Sequence, residues 1–261
     1  MSLRSTRRPL TFQALEQRQQ FAADLSLQVI NGDLFITGDG DAEAVAIEEV
    51  RLGGAFNVEF LKLTGFNGTT INGQSQLTIA SGNLRNVTIN LNGGDDALDI
   101  QRMDSDVAGG NLLVKLGGDD DLFAADGLNF GGNITIEGEN GNDDINLANL
   151  TVGGLLKIDL GNGDDELDVI TSVAKNLDVR GDDGDDVIRL TRLTITDKLF
   201  ADMGEDDDSL TLDKCKAGLF ELDGGDDNDQ LTIKFDFGTI RDAIQAANSD
   251  RNFETVNLSQ G

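Results

Sequence analysis

The chain has 261 residues, 48 Asp plus Glu against 20 Lys plus Arg, and a formal net charge of −28. A field of that sign repels phosphate backbones and anionic membranes, which disfavours a nucleic-acid partner and favours metal cations or basic partners. With no histidine and one cysteine, the chain cannot form Ser-His or Cys-His nucleophile pairs, most zinc sites or an intramolecular disulfide.

No apolar run approaches the ~18 residues of a membrane-spanning helix. Thirty-two glycines with a single proline and no collagen period indicate an all-β chain with many tight turns, where positive φ is needed. Regular alternation of Val, Ile and Leu separates the sequence from a disordered acidic chain.

The first 24 residues read as a basic tail carrying Arg4, Arg7 and Arg8, with no apolar core of a conventional signal peptide. Leu15-Glu16-Gln17-Arg18, followed by Gln19-Gln20-Phe21 and Ala22-Ala23-Asp24-Leu25, resembles the LEPR-XLL motif near the start of repeat-rich surface proteins of planctomycete bacteria. Gln17 stands where that motif has proline, and Gln20-Phe21 where it has a leucine pair. The resemblance covers about 20 residues and implies export to the cell surface or the extracellular space.

Residues 25–85 predict an N-terminal β region. Two strands flank Asn31-Gly32, a hairpin turn signal. Alternating Phe56, Val58, Phe60 and Leu63 continue as further antiparallel strands that cover the first coil of the repeat region. Gly38-Asp39-Gly40-Asp41 reads as a turn, with an extra metal site as the sharper alternative.

Residues 86–235 are dominated by an internal repeat. Asp95-Asp96, Asp119-Asp120, Asp143, Asp164-Asp165, Asp185-Asp186, Asp207-Asp208 and Asp227 with Asp229 recur ahead of an aliphatic residue. Taking Asp96, Asp120, Asp143, Asp165, Asp186, Asp208 and Asp229 as markers gives separations of 24, 23, 22, 21, 22 and 21. That period is too short for a βαβ unit and suits one turn of a solenoid. Within a unit, Leu156, Ile158 and Leu160, then Leu167 and Val169, then Val173 supply three groups of inward side chains. The fold expected is a right-handed parallel β-helix with three short strands and about 22 residues per coil. Cys215 lies in the series Leu210, Leu212, Cys215, Ala217 and is expected in the core.

Stacked carboxylates about 5 Å apart repel by ~0.8 kcal/mol in water and by ~3 kcal/mol at an effective dielectric of 20. A divalent cation between coils would reverse that sign. The pattern resembles the RTX calcium repeat, Gly-Gly-x-Gly-x-Asp-x-aliphatic, nearest in Gly224-Gly225-Asp226-Asp227-Asn228-Asp229-Gln230-Leu231. RTX repeats return every nine residues, whereas these return about every 22. The resemblance implies Ca²⁺ ligation by the thirteen aspartates above; ordinary Gly-Asp turns are the alternative.

Residues 236–261 are expected to hold a short capping helix, with Ile240, Ala243, Ile244 and Ala247 on one face after Thr239. The leading functional expectation is a non-catalytic, exported or cell-surface scaffold or adhesin, with Ca²⁺ as its candidate stabiliser and an unidentified protein or glycan partner. A polysaccharide lyase or hydrolase using Arg180 and Arg189, or Lys115 and Lys157, is the enzymatic alternative. The lack of Trp and Tyr weighs against it. A passive acidic spacer without metal is the third.

Overall fold

A computed structural model describes residues 23–52, 58–82, 84–103, 110–235 and 250–260. The N-terminal strands are β1 (Asp24–Ile30), β2 (Asp33–Thr37), β3 (Ala44–Leu52), β4 (Val58–Gly65), β5 (Thr70–Ile71) and β6 (Gln76–Ala80). The first repeats give β7 (Val87–Asn90), β8 (Ala97–Gln101), β9 (Leu112–Gly118), β10 (Leu122–Asp126), β11 (Asn129–Phe130), β12 (Ile134–Asn140), β13 (Asp144–Ala148) and β14 (Thr151–Asn162). Next come β15 (Glu166–Ile170), β16 (Val173–Asp183), β17 (Val187–Thr191), β18 (Thr194–Glu205), β19 (Ser209–Asp213) and β20 (Lys216–Asp223). β21 (Asp229–Phe235), β22 (Asp250–Arg251) and β23 (Phe253–Gln260) complete the described strands.

These elements stack as a parallel β-solenoid of about seven turns. One sheet runs β22-β20-β18-β16-β14-β12-β9-β7-β2-β1-β5, and the other β23-β21-β19-β17-β15-β13-β10-β8-β3-β4-β6. From β11 onward the third strand of a coil is a short segment merged into the first sheet: β11 pairs with Thr151–Val152, and a register shift separates that part of β14 from the rest.

In-register pairing stacks like positions. Ile136, Ile158, Val179, Ala201 and Leu222 form one interior row, and Phe123, Ile145, Leu167, Ile188, Leu210 and Leu231 form another. All are buried, because period-2 alternation turns every second side chain inward.

A single left-handed residue turns each coil from the second sheet to the third segment: Arg102, Gly127, Asn149, Thr171, Arg192 and Lys214, with φ between 51° and 73°. This bend consumes one residue and shifts the alternation. Ser172 and Ala174 therefore face the core, while Val173, expected inside, is 46% exposed. Ser172 is satisfied there: its hydroxyl donates to the Ile170 carbonyl and accepts from Leu150 N–H.

The N-terminal hairpin forms as expected, β1 pairing antiparallel with β2 across Asn31 and Gly32, both at positive φ. The parallel stack reaches further back than residue 86. β2 pairs in parallel with β7, and β3 with β8, so both belong to the stack itself. The antiparallel strands β1, β4 and β6 then edge the sheets beyond them. The expected helix near 239–248 and residues 15–22 of the LEPR-like stretch fall outside the described residues. No helix occurs among the described residues.

Candidate functional site: two opposed carboxylate ladders

The corner between the first and second sheets carries the Gly-Asp repeat. Two residues at positive φ shape it in each coil, four and two places before the buried acid. They are Asn92 and Gly94, Gly117 and Asp119, Glu139 and Gly141, Gly161 and Gly163, Asp182 and Gly184, Gly204 and Asp206, then Gly225 and Asp227. At Gly161 and Gly204 glycine is obligatory. A Cβ there would lie 2.2 Å from the Glu139 carbonyl oxygen and 1.9 Å from that of Asp182.

Turning the chain this way points one carboxylate per coil into the interior. Asp96, Asp121, Asp143, Asp165, Asp186, Asp208 and Asp229 are all buried, and Glu43 holds the equivalent place in the first coil. Each aspartate Oδ1 accepts the N–H of the corresponding acid one coil earlier, from Glu43 N–H to Asp96 through Asp208 N–H to Asp229, at 2.6–2.9 Å. The side chain thus satisfies a backbone donor that the corner has turned away from the regular sheet.

A second row lies outside it, one residue earlier in the sequence. Asp120, Asn142, Asp164, Asp185 and Asp207 accept N–H bonds from Asn142, Asp164, Asp185, Asp207 and Asn228 at 2.9–3.1 Å. In this exposed row the acceptor lies in the earlier coil; in the buried row it lies in the later one. The two rows bind adjacent coils from opposite directions.

The nominated aspartates therefore separate by environment. Asp96, Asp143, Asp165, Asp186, Asp208 and Asp229 are interior. Asp95, Asp119, Asp120, Asp164, Asp185, Asp207 and Asp227 are exposed. Asp120, a marker of the repeat in the sequence, belongs to the outer row, and Asp121 takes the inner position. The true inner separations are 25, 22, 22, 21, 22 and 21. Three consecutive aspartates, one of them the left-handed Asp119, hide the frame; inward-facing Phe123 and Ala125 carry the signal that fixes it. Glu43 is a further member that the Gly-Asp pattern does not mark, although Ala44-Val45 follows it as Ala97-Leu98 follows Asp96.

Burial dominates the electrostatics of the inner row. It pushes Asp165 up to about 7 and Asp186 and Asp208 up to about 8, with neighbouring carboxylates adding to the rise. Burial also raises both Glu43 and Asp96, whose side chains share a hydrogen bond. The Oδ2 atoms of Asp165, Asp186 and Asp208 are buried without a hydrogen-bond partner.

The donor set does not fit a caged Ca²⁺ ion. Ca²⁺ takes about six to eight oxygens, yet no three acidic or cysteine side chains converge among the described residues. In both rows the Oδ1 atoms named above already accept backbone N–H groups.

Cys215 is buried, its thiol pushed up to about 12 by burial, and donates to the Leu190 carbonyl at 3.1 Å. Comparison with protein-family models, with curated proteins and with solved structures finds no match.

Proposed function

We propose that this chain is a non-catalytic scaffold, a rod whose repeated corners serve cohesion between coils and not chemistry. The observation that carries this reading is the opposed pair of ladders, which commits corner carboxylates to backbone N–H groups. The cations that an enzymatic reading would enlist are also engaged. Lys115 pairs with Glu137 and Glu139, Lys157 with Asp159, Arg180 with Asp178, and Arg189 with Glu166. From residue 110 to 235 the coils succeed one another without an inserted loop, whereas polysaccharide-cleaving solenoids need a cleft. Export rests on the LEPR-like stretch, and the outward side-chain ladders of the coils would offer a protein or glycan partner its surface.

Two measurements test the scaffold reading. Incubation with pectins and alginates is expected to release no products; cleavage abolished by Arg180→Ala would replace the scaffold by a lyase. A thermal melt after exhaustive chelation is expected to give the same midpoint with Ca²⁺ as with Mg²⁺ at equal ionic strength. A selective rise with Ca²⁺ would restore the RTX-like reading of the corners.

A further inference from the structure

The inner row places seven aspartates, each at most 2% exposed, one per coil along the solenoid axis. An ionised carboxylate in such a place needs several donors or a cation to replace its lost water. Asp165, Asp186 and Asp208 each have one N–H on Oδ1, from Asp143, Asp165 and Asp186 in turn, and nothing on Oδ2. The charged groups acting on them are further carboxylates: Asp120, Asp143 and Asp164 on Asp165; Asp164, Asp165 and Asp208 on Asp186; Asp185, Asp206 and Asp229 on Asp208. The cations on the adjoining strands are committed elsewhere, Arg180 to Asp178 and Arg189 to Glu166 and Asp168.

We propose that Asp165, Asp186 and Asp208 of the inner row form a proton-binding site of the folded rod, loaded in mildly acidic surroundings and emptied in alkaline ones, so that the stack tightens as pH falls. A proton on Oδ2 removes the buried charge and leaves Oδ1 free to keep the N–H that ties one coil to the next. The reaction is proton uptake from water alone.

The sign comes from linkage. Folded values near 7 for Asp165 and 8 for Asp186 and Asp208 exceed the unfolded value of about 3.9. Their stabilisation is full below pH ~4, declines as pH rises to 7–8, and is gone above that. Composition keeps this window clear of His and Tyr, which the chain lacks; Asp182, raised by burial to about 6, contributes at its lower end, and Cys215, protonated in the fold but ionising near about 8.5 once unfolded, contributes above it. A Ca²⁺-bound ladder would behave oppositely, because protons compete with the metal.

The test is urea unfolding of the whole chain, chelated, from pH 5.5 to 9. The unfolding constant is expected to rise at least 100-fold per pH unit between pH 5.5 and 7, about tenfold for each of two or more protons held, and to rise less steeply above pH 8, where Asp96 and the thiol of Cys215 are the groups still titrating. Asp186→Asn, which imitates the protonated acid, is expected to lower that slope by about tenfold per pH unit. A flat profile, a stability that increases with pH, or an unchanged slope in the variant would overturn the proposal. Infrared spectra of the parent decide the matter even if the variant does not fold. A protonated-carboxyl band at pH 6.5 that shrinks by pH 9 supports it, and a band that is absent at pH 6.5 or unchanged at pH 9 refutes it.

Discussion

Among the described residues, Thr171 is the one β-branched residue in the left-handed region. Its φ of +51° is a left-handed conformation that β-branched residues avoid, at a cost of roughly 1–2 kcal/mol. Asn149 makes the same bend one coil earlier with φ +56°, and asparagine tolerates that region. Thr171→Asn is therefore expected to stabilise the fold by about 1 kcal/mol, read as a higher urea midpoint with an unchanged slope. Gly181 has the opposite margin. A Cβ on it would sit 2.0 Å from the Met203 carbonyl oxygen and 2.3 Å from Asp186 Oδ2. Gly181→Ala must then displace either the neighbouring coil or the ladder carboxylate. A loss of about 2 kcal/mol or more is expected from such overpacking, whereas wild-type stability in this variant would show that the corner is slack.

At the scale of one element, the corner, the sequence tells the coil length and the residue types but not the frame. The Gly-Asp recurrence and the aliphatic alternation suffice for a stack of parallel coils, and Asn31-Gly32 suffices for the hairpin. What they leave open is which of two or three adjacent acids turns inward. Left-handed positions are filled here by Gly, Asp, Glu and Asn alike, so glycine spacing alone does not mark the bend. For this reason pattern reading sets Asp120 one residue out of place, and the equally unmarked left-handed bend at Thr171 does the same to Val173. Correct framing changes the energetics of the outer row. Asp185 lies between Asp164 and Asp207, and its Oδ1 accepts Asp207 N–H. Asp185→Asn keeps that acceptor and removes the repulsion between residue 185 and its two like-charged neighbours. It is expected to stabilise by about 1 kcal/mol in dilute buffer, less as salt is added. A destabilisation measured in Ca²⁺ but not in chelator would instead show that the Asp185 carboxylate holds a cation.

For the whole molecule the relevant quantity is how the charge of −28 is distributed. Coils succeed one another every ~4.8 Å, so outer-row carboxylates face their nearest like charges at about that distance. The Debye length is ~30 Å at 0.01 M salt, ~10 Å at 0.1 M and ~3 Å at 1 M. Repulsion between distant parts of the rod is thus screened by 0.1 M, but repulsion between adjacent coils persists until the salt approaches 1 M. A protein with the same charge spread evenly would gain most of its salt stabilisation early. This one is expected to keep gaining, its melting midpoint at pH 8 climbing with NaCl from 0.01 M through 0.1 M and continuing toward 1 M. The later part of that rise should shrink in Asp185→Asn, since the variant removes contacts only the higher salt can screen. A midpoint that saturates at 0.1 M in both proteins would mean that the outer row carries no net repulsion. Its hydrogen bonds would then hold adjacent coils together without electrostatic opposition.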